Sequence, residues 1–183
     1  MTGTGAVVGG AAAGAALGLG ARALLPRLLR VRFERDVRRL NDGDPSSLLA
    51  AYADDAVLRF HEGEHRWSGT WVGKPAVERF LRQFVASRVQ GEIRAMALSG
   101  PPWAMTIWVR FDDHADAADG TRLYENRAVL VLSTRWGKVV DHEDFYVDTV
   151  RIAAFDRALS ERGEFPLGRP GQPEQGPALT AAP

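Results

Sequence analysis

Near the end of the chain, His142-Glu143-Asp144-Phe145-Tyr146 sets an imidazole, a carboxylate and a phenol at alternate positions. On an extended strand such residues fall on one face, in a row with Val140 and Asp148, and can serve as acid, base and hydrogen-bond donor. The competing reading is structural: His142 and Asp144 form a bonded pair, and Tyr146 packs with its hydroxyl at the surface. Tyr124 and Asn126 share a face of the preceding strand, either as ligand donors or as strand-edge hydrogen bonds. His61-Glu62-Gly63-Glu64-His65 has the letters of a helical zinc-hydrolase motif, whose chemistry needs both imidazoles on one helical face beside the glutamate. Here the five residues lie between two strand-like runs, Val57 to Phe60 and Arg66 to Val72, with Gly63 at the tip. They should form a turn, with His61 near the mouth of any pocket and no metal bound.

The 183 residues contain no cysteine, which removes disulfides, thiolate catalysis and cysteine metal sites together and fits a reducing, cytoplasmic setting. Basic and acidic residues balance at 23 each, so no global charge draws the chain to nucleic acid. Arginines crowd between Arg22 and Arg39. From Pro26, a good first helical residue, Leu29, Phe33, Val37 and Leu40 recur at helical spacing, which makes most of that cluster the solvated face of an amphipathic first helix.

Upstream, Ala6 to Ala21 is uncharged and rich in Ala and Gly, with Gly10, Gly14 and Gly18 at four-residue spacing. At about 1.5 Å per residue it spans about 24 Å, short of a hydrocarbon core of about 30 Å. Residues 1–25 therefore read as an apolar extension, either membrane-associated through residues 6–29 or simply flexible or loosely helical. Its start lacks the basic residues of a signal peptide.

Further along, Pro75 opens a second long helix with Val77, Phe80, Leu81 and Phe84 as its apolar stripe. Trp103, Met105, Ile107, Val109 and Phe111 then alternate as a strand, and Asp112 to Gly120 reads as the turn that follows. Tyr124 to Ser133 and Val139 to Val147 pair as a hairpin around Trp136-Gly137-Lys138, and Asp148 caps a last helix through Leu159. Residues 161–183 are rich in Pro and Gly without periodicity and read as a disordered tail.

Three stretches carry a family resemblance: Leu40-Asn41-Asp42-Gly43-Asp44-Pro45, Tyr52-Ala53-Asp54-Asp55-Ala56-Val57, and Trp71-Val72-Gly73-Lys74-Pro75-Ala76-Val77. In wording and order they resemble the nuclear transport factor 2-like superfamily, in particular its SnoaL-like and ketosteroid isomerase-like branches, over roughly Phe33 to Leu159. The resemblance implies an α+β fold across residues 26–160: a cone-shaped, curved mixed sheet of the cystatin-like kind wrapped by helices around an apolar pocket. It also implies a homodimer packed through the sheet, an apolar small molecule as ligand, and no cofactor.

The steroid isomerases of this superfamily use a tyrosine and two aspartates, which fall here at Asp36, Phe60 and Val129, so that mechanism is missing. The ending from His142 to Asp148 is similar to that of SnoaL-like proteins, and a related strand of limonene epoxide hydrolases carries the aspartate that activates water. Counting forward from Gly137-Lys138 sets that aspartate at Asp144. Counting back from Asp148-Thr149 sets it at Phe145, a one-residue difference of the kind a β-bulge produces. Arg127 matches the arginine of those hydrolases, but Val129 stands where they have an acid. Trp67, Trp71, Trp103 and Trp108 are core or dimer-interface candidates, of which one or two would line the pocket.

Because fold does not name chemistry, two functions stand. The absent triads put a binding or accessory module first. The alternative is an acid–base isomerase, cyclase or epoxide-hydrolase-like enzyme of polyketide, terpenoid or steroid-like metabolism, with Asp144 as base and His142 or Tyr146 as donor.

Overall fold

Residues of alternating burial build most of the molecule. The computed structural model describes residues 9–164, with side chains from Leu24 onward. Its helices are α1 (Gly9–Asn41), α2 (Ser46–Leu49), α3 (Lys74–Ala86) and α4 (Thr149–Glu161). Its strands are β1 (Tyr52–Phe60), β2 (Gly69–Val72), β3 (Gln90–Ser99), β4 (Thr106–Asp116), β5 (Arg122–Arg135) and β6 (Lys138–Tyr146). They form one curved mixed sheet in the order β2-β1-β6-β5-β4-β3, with β1 parallel to β6 and every other pair antiparallel.

The junctions have local causes. Gly43, at φ +93°, takes the left-handed turn that ends α1; its N–H donates to Leu40 O and that of Asp44 to Arg39 O. The Asp44 carboxylate then accepts the Ser46 N–H at 2.9 Å as α2 begins. Asp148 caps α4 by accepting the Arg151 N–H at 3.1 Å. Trp136 and Gly137, both at positive φ, make the two-residue β5–β6 turn whose backbone twist matches the flanking strands.

Inward residues of β4 and β5, such as Val109, Phe111, Ala128 and Leu132, join Val77, Phe80 and Leu81 of α3 in one core. At one end Trp67 stacks on Phe155 of α4 at 5.8 Å, and Phe155 on Tyr124 at 4.8 Å. Arg66 and Asp156 form a buried ion pair there, and Arg66 also reaches Ser160 Oγ at 2.9 Å. These contacts bind the β1–β2 connection to α4.

Several boundaries differ from the sequence expectation. Pro26 lies inside α1 rather than at its start; the alanines before it are strong helix formers, and the helix continues through the proline at the loss of a backbone bond. The strand β3 has no counterpart in that reading, since a register shift between Ile93 and Ala95 breaks its alternation. The β4 strand starts at Thr106, leaving Trp103 outside it and 53 % exposed, and continues to Asp116, so the turn is confined to the residues between β4 and Arg122. Strand β1 begins earlier and β2 later than expected, at Tyr52 and Gly69. Among the described residues no helix is long and apolar enough to cross a membrane. Residues 1–8 of the apolar extension, and the expected tail from residue 165 on, lie outside the described residues; Glu164 itself pairs with Arg88 and accepts the Ala118 N–H.

The Arg66–Asp156 pair gives a direct test. With both side chains at 3 % exposure or less, Asp156→Ala takes the carboxylate from a buried guanidinium and should cost about 3–5 kcal/mol in urea unfolding. A loss below about 1 kcal/mol would show that the ion pair adds little to the apolar packing that holds α4.

Candidate functional site

Between the inner face of β4, β5 and β6 and the helices α1 and α3 lies a cavity of about 160 Å³. Apolar side chains dominate its wall, among them Phe33, Phe80, Phe84, Phe111, Met96 and Leu130. Into this wall are set Tyr52, Asp113, His142, Asp144 and Tyr146, with Asp36 on α1.

The β6 row arises from alternation interrupted once. Ser133 pairs with Asp141 but the next residue, Thr134, with Val139, so Val140 is an extra residue on β6. Val139 and not Val140 therefore shares the inner face with His142, Asp144 and Tyr146. The same bulge lies between Gly137-Lys138 and the aspartate, where the two counts disagree. Asp144 faces inward at 7 % exposure, whereas Phe145 points outward at 51 %.

The polar groups form two bonded sets. In the first, Tyr52 Oη lies 2.6 Å from His142 Nδ1, and His142 Nε2 lies 2.6 Å from Asp144 Oδ1. Burial, aided by the charge of Asp144, pushes the Tyr52 phenol far up, so it keeps its proton, and toward a neutral imidazole it donates to Nδ1. The imidazole then carries its hydrogen on Nε2 and donates to Asp144, whose Oδ2 takes no hydrogen bond from the described residues. In the second set Tyr146 donates to Asp113 Oδ2 at 3.1 Å. Burial raises the Asp113 carboxyl to about 7; the Tyr146 hydrogen bond opposes the rise, and the charges of Asp144 and Asp112 reinforce it. Burial first, then both aspartates, push Tyr146 well up. Its hydroxyl feels the two carboxyls at once.

His61 and His65 do lie in a turn, but their rings fold inward instead of standing at a pocket mouth. They sit 4.6 Å apart, each against Phe60, with His61 also against Tyr146. Burial, with His61 adding to it, lowers His65 to about 4, and the nitrogens of both rings have no hydrogen-bond partner among the described residues. No group of three or more potential metal ligands occurs among the described residues.

The remaining candidates stand apart from the cavity lining. Trp67 and Tyr124 belong to the Phe155 stack. Trp71 packs edge-on to Phe80 and donates Nε1–H to Trp67 O. Trp108 and Arg127 face outward, the latter in a polar surface cleft. Asn126 is buried, but its amide bonds the backbone of Asp148, donating to O at 2.7 Å and accepting from N at 3.3 Å. Of the steroid-isomerase positions, Asp36 is buried against Arg35 and Arg32, Phe60 is core, and Val129 is 37 % exposed.

Tyr52 and Asp113 escaped the sequence reading. Tyr52 was visible only as a letter of the family wording, although a strand starting there points its ring inward. Asp113 was concealed by assigning Asp112 to Gly120 to a turn; the β4 alternation, extended by one step beyond Phe111, would have found it.

Asp113 makes a pH prediction. Its carboxyl holds its proton more tightly when folded, at about 7 against 3.8, so the folded state is fully favoured below about pH 4 and loses stability as pH rises toward 7. Relative to Asp113→Asn, which does not titrate and can still accept from Tyr146, the wild type should lose up to about 4 kcal/mol across that window in urea unfolding. Parallel pH profiles for the two proteins would mean that Asp113 is ionised at little cost.

No curated protein matches this chain. Among solved structures, Bal32a from a soil-derived mobile gene cassette superposes with a TM-score of 0.56 at 16% identity, covering 72% of this chain and 96% of that one. TerC, co-crystallised with polyporic acid, gives 0.55 at 20% identity over 67% of this chain and 92% of its own. A nuclear transport factor 2-like protein of unknown function from Burkholderia pseudomallei gives 0.54 at 22% identity over 67% and 95%. At such identities the likeness is one of fold. The family model of the SnoaL-like domain matches residues 33–142, more than half of the chain. With the cone-type sheet and its apolar cavity, that match makes the chain a member of the SnoaL-like family, with the fold of nuclear transport factor 2-like proteins.

Proposed function

We propose that the chain is an acid–base enzyme acting on an apolar small molecule held in the cavity. The carrying observation is Asp113: a buried carboxyl titrating near neutrality in an apolar wall, hydrogen-bonded to Tyr146 and within the field of Asp144. A group whose pKa lies near the working pH is the most effective proton carrier, and such shifts concentrate at functional sites. The absent family triads favour a binding module, but a neutral apolar ligand needs only shape, and burying two carboxyls costs free energy that its recognition does not require.

In this reading Asp144 Oδ2 is the base. His142 and Tyr52 hold the carboxylate by its other oxygen and fix its direction into the cavity. Protonated Asp113, oriented by Tyr146, is the acid. A proton leaves a substrate carbon for Asp144 while the Asp113 proton passes to the substrate oxygen, which turns a ketone into its enol. Transfers in the return direction, at the same carbon or, in a dienol, at the far end of the conjugated double bond, reset both carboxyls. Isomerisation and cyclisation share this removal and delivery of one proton.

Solvent-deuterium uptake by a panel of apolar ketones, followed by mass spectrometry, tests the reading. Asp144→Asn should lower uptake by about 10²-fold or more with the fold intact, because the base is lost while shape is kept. Equal uptake by the two proteins would remove Asp144 as base and leave a binding module.

A further inference from the structure

The α1 helix is apolar on two sides. Leu25, Leu29, Phe33, Val37 and Leu40 turn toward the core, and the last four of them line the cavity. On the opposite side Leu24, Leu28 and Val31, spaced four and three residues apart, form one stripe. They are 55 %, 66 % and 62 % exposed, and nothing among the described residues covers them. A lone exposed leucine is ordinary, but three in a row along one helical face make a surface for a partner.

The same helix concentrates the positive charge of the chain. Between Gly9 and Asn41 it carries seven arginines against Glu34 and Asp36, an excess of five. Basic and acidic residues number 23 each over the whole chain, so everything outside α1 is negative by the same five charges. The arginines run with the stripe. Arg27 stands between Leu24 and Val31, three residues after the one and four before the other, and Arg35 and Arg38 continue the stripe four and seven residues beyond Val31. Arg27 and Arg38 are exposed and have no acidic partner among the described residues. The acids of the helix are already engaged: Glu34 pairs with Arg30 at 2.7 Å, and Asp36 is buried against Arg32 and Arg35.

These two features together choose the occupant. Nucleic acid would answer the arginines with its phosphates but leave the leucines in water. A second copy laid stripe on stripe would cover the leucines but bring two arginine-rich faces together with no acid free to pair. An anionic lipid surface answers both, because apolar side chains enter the headgroup boundary while arginines beside them extend to the lipid phosphates.

We propose that α1 docks along this face on an anionic membrane surface, with Leu24, Leu28 and Val31 in the headgroup boundary and Arg27, Arg35 and Arg38 on the lipid phosphates. The helix lies on the surface and does not cross it, since among the described residues no helix is long and apolar enough to do so. Its other face still lines the cavity, so docking brings the cavity next to the lipid, where apolar molecules concentrate.

Co-sedimentation of the full-length protein with vesicles tests this. Binding to phosphatidylcholine vesicles carrying about 30 % phosphatidylglycerol should be at least about tenfold tighter than to phosphatidylcholine alone, and about 0.5 M NaCl should release most of it. The double substitution Leu24→Gln, Leu28→Gln should weaken anionic-vesicle binding by about tenfold or more, and so should Arg27→Gln, Arg38→Gln. All four residues are exposed and glutamine is a good helix former, so unfolding in urea should be unchanged in both variants. Equal binding to the two vesicle types, or binding to neither, overturns the proposal. Binding that the leucine pair leaves untouched is the mark of charge alone and overturns it too. A dimer in sedimentation velocity that the leucine pair dissociates would give the face to a second copy instead. None of these readouts needs turnover, so their failure leaves the acid–base reading where it stands.

Discussion

The register of β6 is the constraint on which the site depends. This strand is paired on both sides, parallel to β1 and antiparallel to β5, and a slip of one residue would turn His142, Asp144 and Tyr146 to the outer face and bring Glu143 and Phe145 inward. Two features hold the register against this. The two-residue turn at Trp136-Gly137 fixes where the β5–β6 hairpin begins, and the Val140 bulge absorbs one residue before the functional row starts. At the other end the Asn126 amide holds the backbone of Asp148, so the strand is fixed on both sides of its three polar side chains.

With the row in place, electrostatics follow from burial. Tyr52, on the parallel neighbour, donates to His142, and this orients the imidazole so that its remaining hydrogen meets Asp144. Tyr146 turns the other way, to Asp113 on β4. The two carboxyls are thus held separately but sense each other through the low-dielectric interior, which contributes to the high Asp113 value. Paired with arginine instead, Asp113 would be ionised across the working range and unable to donate.

The sequence revealed the fold through its junctions. Gly43 with Asp44, Pro75 after Gly73, and Asp148 before α4 are residues whose backbone or capping demands leave few alternatives; the first closes α1 within the family wording, and Pro75 and Asp148 stand where they were expected. The row on β6 was legible for the same reason, since alternation is a local property. What was lost depends on contacts distant in sequence. The Tyr52–His142 bond joins residues far apart in sequence, and no spacing within either segment announces it. Polar letters around Asp113 suggested a turn, when pairing with β3 and β5 keeps the strand going. The tryptophans were assigned by type, yet Trp67 and Trp71 were drawn into the core at the α4 end and Trp108 to the outer face. The histidine turn was right in backbone but not in surroundings, because Tyr146 of β6, distant in sequence, packs on His61 while Phe60 and Trp67 on either side of the turn pack on the two rings.

The family wording and the proposed chemistry meet at one residue. Asn41, in the turn that ends α1, donates its amide to Gly91 O at 3.0 Å and accepts the Gly91 N–H at 3.1 Å, while Gln90 reaches back to Asn41 O. Gly91 pairs across the sheet with Asp113. A side chain there would press on the ring of Phe111 at 3.2 Å and on Asp113 Oδ1 at 3.3 Å. The helix terminus that identifies the fold is therefore tied to the strand position that leaves room for the Asp113 carboxyl. A fold with this turn can carry an acid at one inward strand position or another, because the cavity wall is set by the turn and the sheet and not by the acid. In this chain the steroid-isomerase positions hold Phe60 and Val129, and the carboxyls stand instead on β4 and β6, where alternation turns every second side chain toward the same apolar space.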